Sequence, residues 1–108
     1  MKTKILSLLG IARRAGRLAP GHDAAVESIV KNKASLCILC RDASERLERE
    51  MRHACSYENK NIHVVKADFD IKELSAAIGT RAAVITVNDD GFAKKLITLF
   101  ETDTRGKE

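Results

Sequence analysis

The segment Ala82-Ala83-Val84-Ile85-Thr86-Val87 is apolar at every position except Thr86, and it follows Gly79, a residue type that commonly ends helices. The segment Leu36-Cys37-Ile38-Leu39-Cys40 is apolar throughout. Runs of this length without a polar face are typical of β-strands covered on both sides. They predict a three-layer α/β/α sandwich in which residues 83–87 form a central strand.

The rest of the chain alternates between helix and strand signals around these two segments. A small central mixed sheet of about four strands is therefore expected, within a single domain over residues 1–108 that has a polar, frayed tail from about residue 101. The first predicted helix has Ile5, Leu8, Leu9 and Ala12 on one face and ends at Gly16, and an extended piece at 17–19 follows it. The second predicted helix is marked by Val26, Ile29 and Val30, ends around Asn32 and precedes the strand at 36–40. The remaining predicted elements are a helix capped by 42–45, a strand at 62–65, a helix capped by Asp70 that ends at Gly79, the strand at 82–87 and a last helix capped by 88–91.

The composition is that of a folded globular protein. Hydrophobic residues make up 44% of the 108 residues and charged residues 31%, which argues against intrinsic disorder. No apolar run approaches the roughly 20 residues that span a bilayer. The first ten residues resemble a signal peptide only weakly, and three cysteines fit a reducing compartment. A cytoplasmic location is expected.

Positive charge is concentrated at one end of the chain. Residues 1–33 contain seven basic and two acidic side chains, a surplus of five, although the formal net charge of the whole chain is +4. A local surplus of this kind is typical of a surface that contacts a polyanion. The glycine at position 21 opens the second predicted helix, whose first N–H groups add to this potential. Nucleic acid is the first partner that the charge distribution suggests.

Other motifs favour structural roles over chemistry. Cys37 and Cys40 lie three residues apart on a predicted strand, so they should face opposite sides of the sheet and serve as core residues. The three histidines lack metal-site spacing. The acidic pairs at 68–70 and 89–90 precede helices, where Asp is a common N-cap. We therefore expect no catalysis, no metal and no cofactor.

Several segments together resemble a known protein family. They are Leu9-Gly10-x-Ala12-x-Arg14-Ala15-Gly16-Arg17-Leu18-x-x-Gly21, then Asp42-Ala43-Ser44, then Glu73-Leu74-x-x-Ala77-Ile78-Gly79, and finally Thr86-Val87-x-Asp89-x-Gly91-Phe92-Ala93-Lys94-Lys95. In order and spacing they resemble the YlxQ-type branch of the kink-turn-binding ribosomal proteins, a family often written L7Ae. The resemblance spans roughly residues 3–98.

The resemblance implies an α/β/α sandwich and a non-enzymatic protein that binds structured RNA, ribosomal or kink-turn-like. It further implies that the start of the second helix enters the RNA groove beside sheared G·A pairs, and that a nearby apolar loop before the last strand packs against an extruded base. On this chain the implied contacts are Gly21, His22 and Asp23 at the helix start and Ile78, Gly79, Thr80, Arg81 and Ala82 in the loop, with Arg13, Arg14, Arg17 and Lys33 neutralising phosphates.

The chain departs from the family's common Gly-x-Asn-Glu-x-x-Lys pattern and from the basic residue before it. Pro20 precedes the glycine, and Asp23, Ala24 and Glu27 stand at the Asn, Glu and Lys positions. An ionised Asp only accepts hydrogen bonds, whereas Asn also donates. The alternative function is therefore a protein-interaction module on the same fold, using the charged third helix from Ser44 to Asn59.

Overall fold

The alternation of helices and strands predicted from the sequence is confirmed in the computed structural model, which describes residues 2–106. The elements are α1 (Lys2–Arg14), β1 (Leu18–Pro20), α2 (His22–Val30), β2 (Leu36–Leu39), α3 (Glu45–Ser56), a 3₁₀ turn (Tyr57–Asn59), β3 (His63–Lys66), α4 (Ile71–Ile78), β4 (Val84–Val87) and α5 (Asp90–Gly106). Across residues 2–106, no helix combines the length and apolarity needed to cross a membrane.

The four strands form one mixed sheet in the order β1-β4-β2-β3. Strand β4 is antiparallel to both β1 and β2, whereas β2 is parallel to β3. All four residues of β4 are buried, as expected for a central strand. The strand begins at Val84, so Ala82 and Ala83 belong to the preceding loop rather than to the strand.

Helices cover both faces of the sheet, which confirms the sandwich. Alternate residues of β2 point to opposite sides: Leu36 and Ile38 pack with α1, α4 and α5, whereas Cys37 and Leu39 pack with α2 and α3. Burying each apolar side chain contributes roughly 1.5–3 kcal/mol. The two cores explain why a strand with no polar face is stable in this chain.

The cysteines occupy these cores. Cys37 belongs to the α2/α3 side and Cys40 to the other, as the spacing predicted. A hydrogen bond with Cys55 and burial raise the pKa of Cys37, and burial together with nearby Asp42 raises the pKa of Cys40 to about 12. Both thiols therefore remain protonated at neutral pH.

The acidic pairs act as helix caps. The Asp70 carboxylate accepts from the Glu73 backbone N–H at 2.7 Å while the Glu73 side chain accepts from the Asp70 N–H at 3.1 Å, which is a complete capping box. Asp89 accepts from the Phe92 N–H at 2.8 Å at the start of α5. The capping interpretation of both pairs is confirmed.

Several details differ from the sequence prediction. Helix α5 continues to Gly106, past residue 101, where the sequence predicts a polar, frayed tail, and neither Gly nor Pro interrupts the chain between Phe92 and Gly106. Helix α3 ends at Ser56, before the 3₁₀ turn. Val30, expected on the inner face of α2, is 64% exposed.

Candidate nucleic-acid interface

The start of α2 is a backbone feature built on glycine. Gly21 is the N-cap and has φ +95°, a conformation that side-chain-bearing residues rarely adopt. Its carbonyl accepts from the Ala25 N–H at 2.9 Å, which begins the helix. No side chain caps the helix, and a Cβ at Gly21 would meet nothing within 4 Å. The first N–H groups of α2 therefore lie at an open surface, suitable for an anionic or polar partner.

The loop before β4 lies beside this helix start. The Gly21 N–H donates to the Val84 carbonyl at 2.8 Å, which continues the β1–β4 pairing by one residue beyond Pro20. On the other side, the Cys40 N–H donates to the Ala83 carbonyl at 2.9 Å. The start of α2 is thus bonded to the first residue of β4, the strand that this loop enters.

Only part of that loop is accessible. Ile78 is 5% exposed and Ala82 is 4% exposed, so both side chains belong to the core and cannot face a partner. Gly79 ends α4 with φ +77°, and Thr80 and Arg81 follow it at the surface. The accessible loop is therefore Gly79–Arg81, and its Arg makes it more polar than the sequence-based expectation of an apolar loop.

His22 links the start of α2 to α3. Its Nδ1 lies 3.0 Å from an Asp23 carboxylate oxygen, and its Nε2 lies 3.0 Å from a Glu50 carboxylate oxygen. The hydrogen bonds with Asp23 and then Glu50 raise the pKa of His22. Glu50 also accepts from Arg46 at 3.2 Å. The charges at this end of α2 are therefore balanced by neighbouring charges of opposite sign.

Sequence reasoning missed Glu50. No local signal identifies it, because His22 and Glu50 are 28 residues apart in the sequence and meet only in the folded chain. The Val84 carbonyl was also missed. The pairing register of β1 with β4 would have been needed to find it, and a strand of three residues does not fix that register.

The predicted cations are not all on one surface. Leu18 pairs with Val87 and Pro20 with Ile85, so Arg17 and Gly21 lie at opposite ends of β1, about 13 Å apart at roughly 3.3 Å per residue. The Asn88 N–H donates to the Arg17 carbonyl at 2.8 Å, which fixes Arg17 beside the end of β4.

Lys33 lies at the same end of the sheet as Arg17, since neighbouring Ser35 donates its N–H to the Val87 carbonyl at 2.8 Å. Arg13 and Arg14 form the last turn of α1, and both are exposed. The Arg14 side chain lines a groove of about 410 Å³ with Gly10 and Ala77, next to the end of α4. Arg14 therefore lies near Ala77, two residues before Gly79.

Within the described residues, no group of three or more His, Cys, Asp or Glu side chains is arranged to hold a metal ion. The site consists of a helix start, a short loop and surrounding charges, an arrangement that is suited to binding.

The fold and this arrangement define a class of protein. The chain belongs to the ribosomal protein L7Ae/L30e/S12e/Gadd45 family, whose model matches residues 3–97.

Two relatives carry the name RNA-binding protein YlxQ. The one from Enterococcus faecium is 31% identical over 100 residues, covering 93% of this chain and 94% of its own. The one from Bacillus subtilis (strain 168) is 34% identical over 95 residues, covering 87% and 92%.

Two solved structures share the fold. A Bacillus halodurans C protein of unknown function has a TM-score of 0.82 and 35% identity, covering 91% of this chain and 97% of its own. A Giardia lamblia protein named 15.5kD RNA binding protein has a TM-score of 0.73 and 19% identity, covering 94% and 85%. At 19% identity, the second comparison concerns the fold alone.

Proposed function

We propose that this protein is a non-catalytic RNA-binding protein that recognises a kink-turn in ribosomal or other structured RNA, as part of a cytoplasmic ribonucleoprotein. The start of α2 contacts the groove beside the sheared G·A pairs, and the Gly79–Arg81 loop contacts the extruded base. One observation carries the proposal: the 2.8 Å hydrogen bond from the Gly21 N–H to the Val84 carbonyl, which joins the start of α2 to the first residue of β4, three residues after Arg81. Family membership and the names of two relatives support RNA as the partner.

The chemistry of the helix start suits recognition by shape. Proteins bind structured RNA through its backbone geometry and its unstacked bases, so a helix terminus and one loop are sufficient. Gly21 has no side chain to keep the RNA at a distance, and the uncapped N–H groups of α2 can donate to RNA oxygens. Arg14, near the end of α4, is well placed for a phosphate contact.

The test is a fluorescence titration with two RNA hairpins that differ only in the kink. One carries a standard kink-turn, and in the other the sheared G·A pairs are replaced by G·C pairs. We expect tighter binding to the kink-turn, and affinity that falls as salt concentration rises because counterions are released. Equal affinity for the two hairpins would contradict kink-turn recognition, while salt-dependent binding would still support RNA binding in general.

A variant that restores the family pattern sharpens this test. In Asp23→Asn/Glu27→Lys, the new amide donates as well as accepts, and the new lysine attracts phosphate. We expect binding to the kink-turn to tighten about 2- to 10-fold, the range of one net hydrogen bond. The matched control is Glu45→Gln/Glu101→Lys, which makes the same charge change of three on exposed residues of α3 and α5. Equal gains in the two variants would mean that net charge alone is responsible.

The protein-interaction alternative gains little from the charged helix α3. Arg46 pairs with Glu50 at 3.2 Å and Arg52 with Glu48 at 3.0 Å, both one helical turn apart. Lys66 of β3 also reaches Glu48, at 3.1 Å. Charges that are paired within the molecule favour a solvated surface over a docking site. No binding to either hairpin at low salt would restore this alternative.

A further inference from the structure

A groove with an exposed aromatic ring lies between the C-terminal ends of α2 and α3. This tyrosine groove has a volume of about 340 Å³ and is lined by Ile29, Val30, His53, Ala54, Tyr57, Glu58 and Lys60. Tyr57 is 53% exposed and Val30 is 64% exposed. The rings of His53 and Tyr57 are stacked, with centroids 5.3 Å apart and planes inclined by 23°. Exposed aromatic and aliphatic groups beside each other are uncommon on a surface without a binding role.

The backbone around this groove adopts an unfavourable conformation. Among the described residues, three that are not glycine have positive φ: Asn32 (58°), Glu58 (52°) and Asn59 (66°). Asn tolerates this conformation, but it is unfavourable for Glu. Glu58 and Asn59 follow Tyr57 directly in the 3₁₀ turn, and Asn32 accepts a hydrogen bond from Lys60. Of the three, Glu58 lines the groove, directly after Tyr57.

Lysines border the tyrosine groove. The Lys60 Nζ donates to the Asn32 side-chain oxygen at 2.8 Å. Because the Asn32 side chain is neutral, this hydrogen bond does not compensate the positive charge of Lys60. The turn at Asn32 also carries Lys31, which is paired with Glu27 at 2.7 Å, and the exposed Lys33. Glu58 is the one carboxylate among the lining residues. Lys60 thus provides positive charge beside an aromatic surface, and Lys33 follows directly after Asn32, the hydrogen-bond partner of Lys60.

We propose that the tyrosine groove binds an unpaired nucleobase of the same RNA that contacts the start of α2. The base stacks on the Tyr57 ring and packs against Val30, and the flanking phosphates contact Lys33 and Lys60. Every base has an apolar face, so an aromatic ring next to cations binds unpaired nucleotides without regard to sequence. An apolar side chain of a protein partner would fill the groove but would leave the lysines unused.

The two contact sites lie on one path along the protein. Helix α2 has nine residues, so its ends are about 12 Å apart at 1.5 Å per residue. An RNA held at Gly21 needs only a short unpaired strand to reach the tyrosine groove. This inference rests on the proposed function, because it assumes that RNA occupies the start of α2.

The chain offers a direct optical probe, since Tyr57 is its one tyrosine and it has no tryptophan. The experiment compares a kink-turn hairpin with flush ends and the same hairpin with a short unpaired extension, placed on each strand in turn. We expect one extended RNA to bind more tightly than the flush RNA and to quench Tyr57 emission. Tyr57→Ala should lower affinity for that extended RNA about 5-fold or more and leave the flush RNA unaffected. Tyr57→Phe should retain the affinity.

The control is Ile11→Ala, which truncates another exposed apolar side chain, on α1, and should alter neither affinity. Circular dichroism establishes that each variant is folded. The inference is overturned if Tyr57→Ala binds every RNA as tightly as the wild type does and no RNA quenches the Tyr57 emission of the wild-type protein. Binding of the flush RNA would still preserve the proposed function in that case. Equal losses in Tyr57→Ala and Tyr57→Phe would also overturn it, since the hydroxyl would then be responsible. If wild-type protein binds neither RNA, both proposals fail.

Discussion

The two ends of α2 differ in how they present themselves to solvent. At the N-terminal end, Gly21 exposes backbone, and the one basic side chain of the first turn, His22, is matched by the carboxylates of Asp23 and Glu50. At the C-terminal end, Lys60 lines a groove with the half-exposed Tyr57 ring, and Lys33 lies three residues after the last residue of α2. The start of α2 thus presents backbone hydrogen-bond donors, whereas its C-terminal end lies near a lysine and an aromatic ring.

Recognition of RNA shape and attraction of RNA charge can therefore come from different residues of one protein. Hydrogen bonds from a rigid backbone are directional and depend on RNA geometry, whereas lysine–phosphate contacts carry little sequence information and depend on salt. We therefore expect the N-terminal end to determine which RNA is bound. The cations elsewhere should determine how strongly salt weakens binding.

The largest effect is expected from Gly21→Val. A β-branched residue at φ +95° is strained and would also keep RNA away from the backbone, so affinity for kink-turn RNA should fall about 10-fold or more, with roughly 1–3 kcal/mol lost from the free energy of unfolding. Titration and denaturant unfolding measure the two quantities separately.

Gly16→Val is the matched control for that variant. Gly16 also has a positive φ, +74°, and open space around its Cβ position, but it lies in the α1–β1 turn. It should lose comparable stability and retain RNA affinity. If both variants lose affinity equally, the helix start has no special role.

A smaller difference in RNA affinity is expected between the Arg14 and Arg17 variants. The sequence treats them as one basic cluster, but Arg17 lies at the far end of β1 from Gly21, whereas Arg14 approaches the end of α4. Charge reversal to Glu should weaken binding to the flush kink-turn more for Arg14 than for Arg17. Each lost phosphate contact should lower the salt slope by about one.

Filter binding at several salt concentrations measures both slopes, and Arg49→Glu on α3 is the control for charge alone. Equal affinities for wild type and Arg14→Glu would remove Arg14 from the interface.

The smallest effect concerns protonation of His22. Hydrogen bonds to Asp23 and Glu50 raise its pKa above the ordinary value of 6.5, so the protonated form is favoured in the folded state. Its contribution to stability is full below the unfolded pKa and disappears as pH rises through the folded pKa. Because these groups are about half exposed or more, the gain in stability is small.

NMR titration of the His22 ring should give a pKa above 6.5. The pKa should drop more in Asp23→Asn than in Glu50→Gln, since Asp23 makes the larger contribution. An unchanged His22 pKa in both variants would mean that the two hydrogen bonds do not persist in solution.

Much of the fold was predictable because its signals are local. The apolar run at 36–39 specifies a strand buried on both faces, and Asp70 with Glu73 specifies the start of α4 through its own hydrogen bonds. Helix α5 continues through its polar end because helix propensity depends on backbone conformation rather than on burial.

The candidate site was predictable only in part. Gly21 and Gly79 stand out in the sequence because each ends or begins a helix, and both have the positive φ that favours glycine. The accessibility of the loop was not predictable, because burial of Ile78 and Ala82 depends on packing against residues distant in sequence.

Three features follow from the sequence alone: the order of the elements, the burial of the central strands on both faces, and the caps of α4 and α5. Each of them depends on residues within a few positions of one another. Three other features are visible only in the tertiary structure: Arg17 is separated from Gly21, Glu50 contacts His22, and Tyr57 and Val30 line one groove. Those relations join residues on different elements. They follow from strand register and from the way helices pack over a shared core, neither of which is encoded in a local pattern.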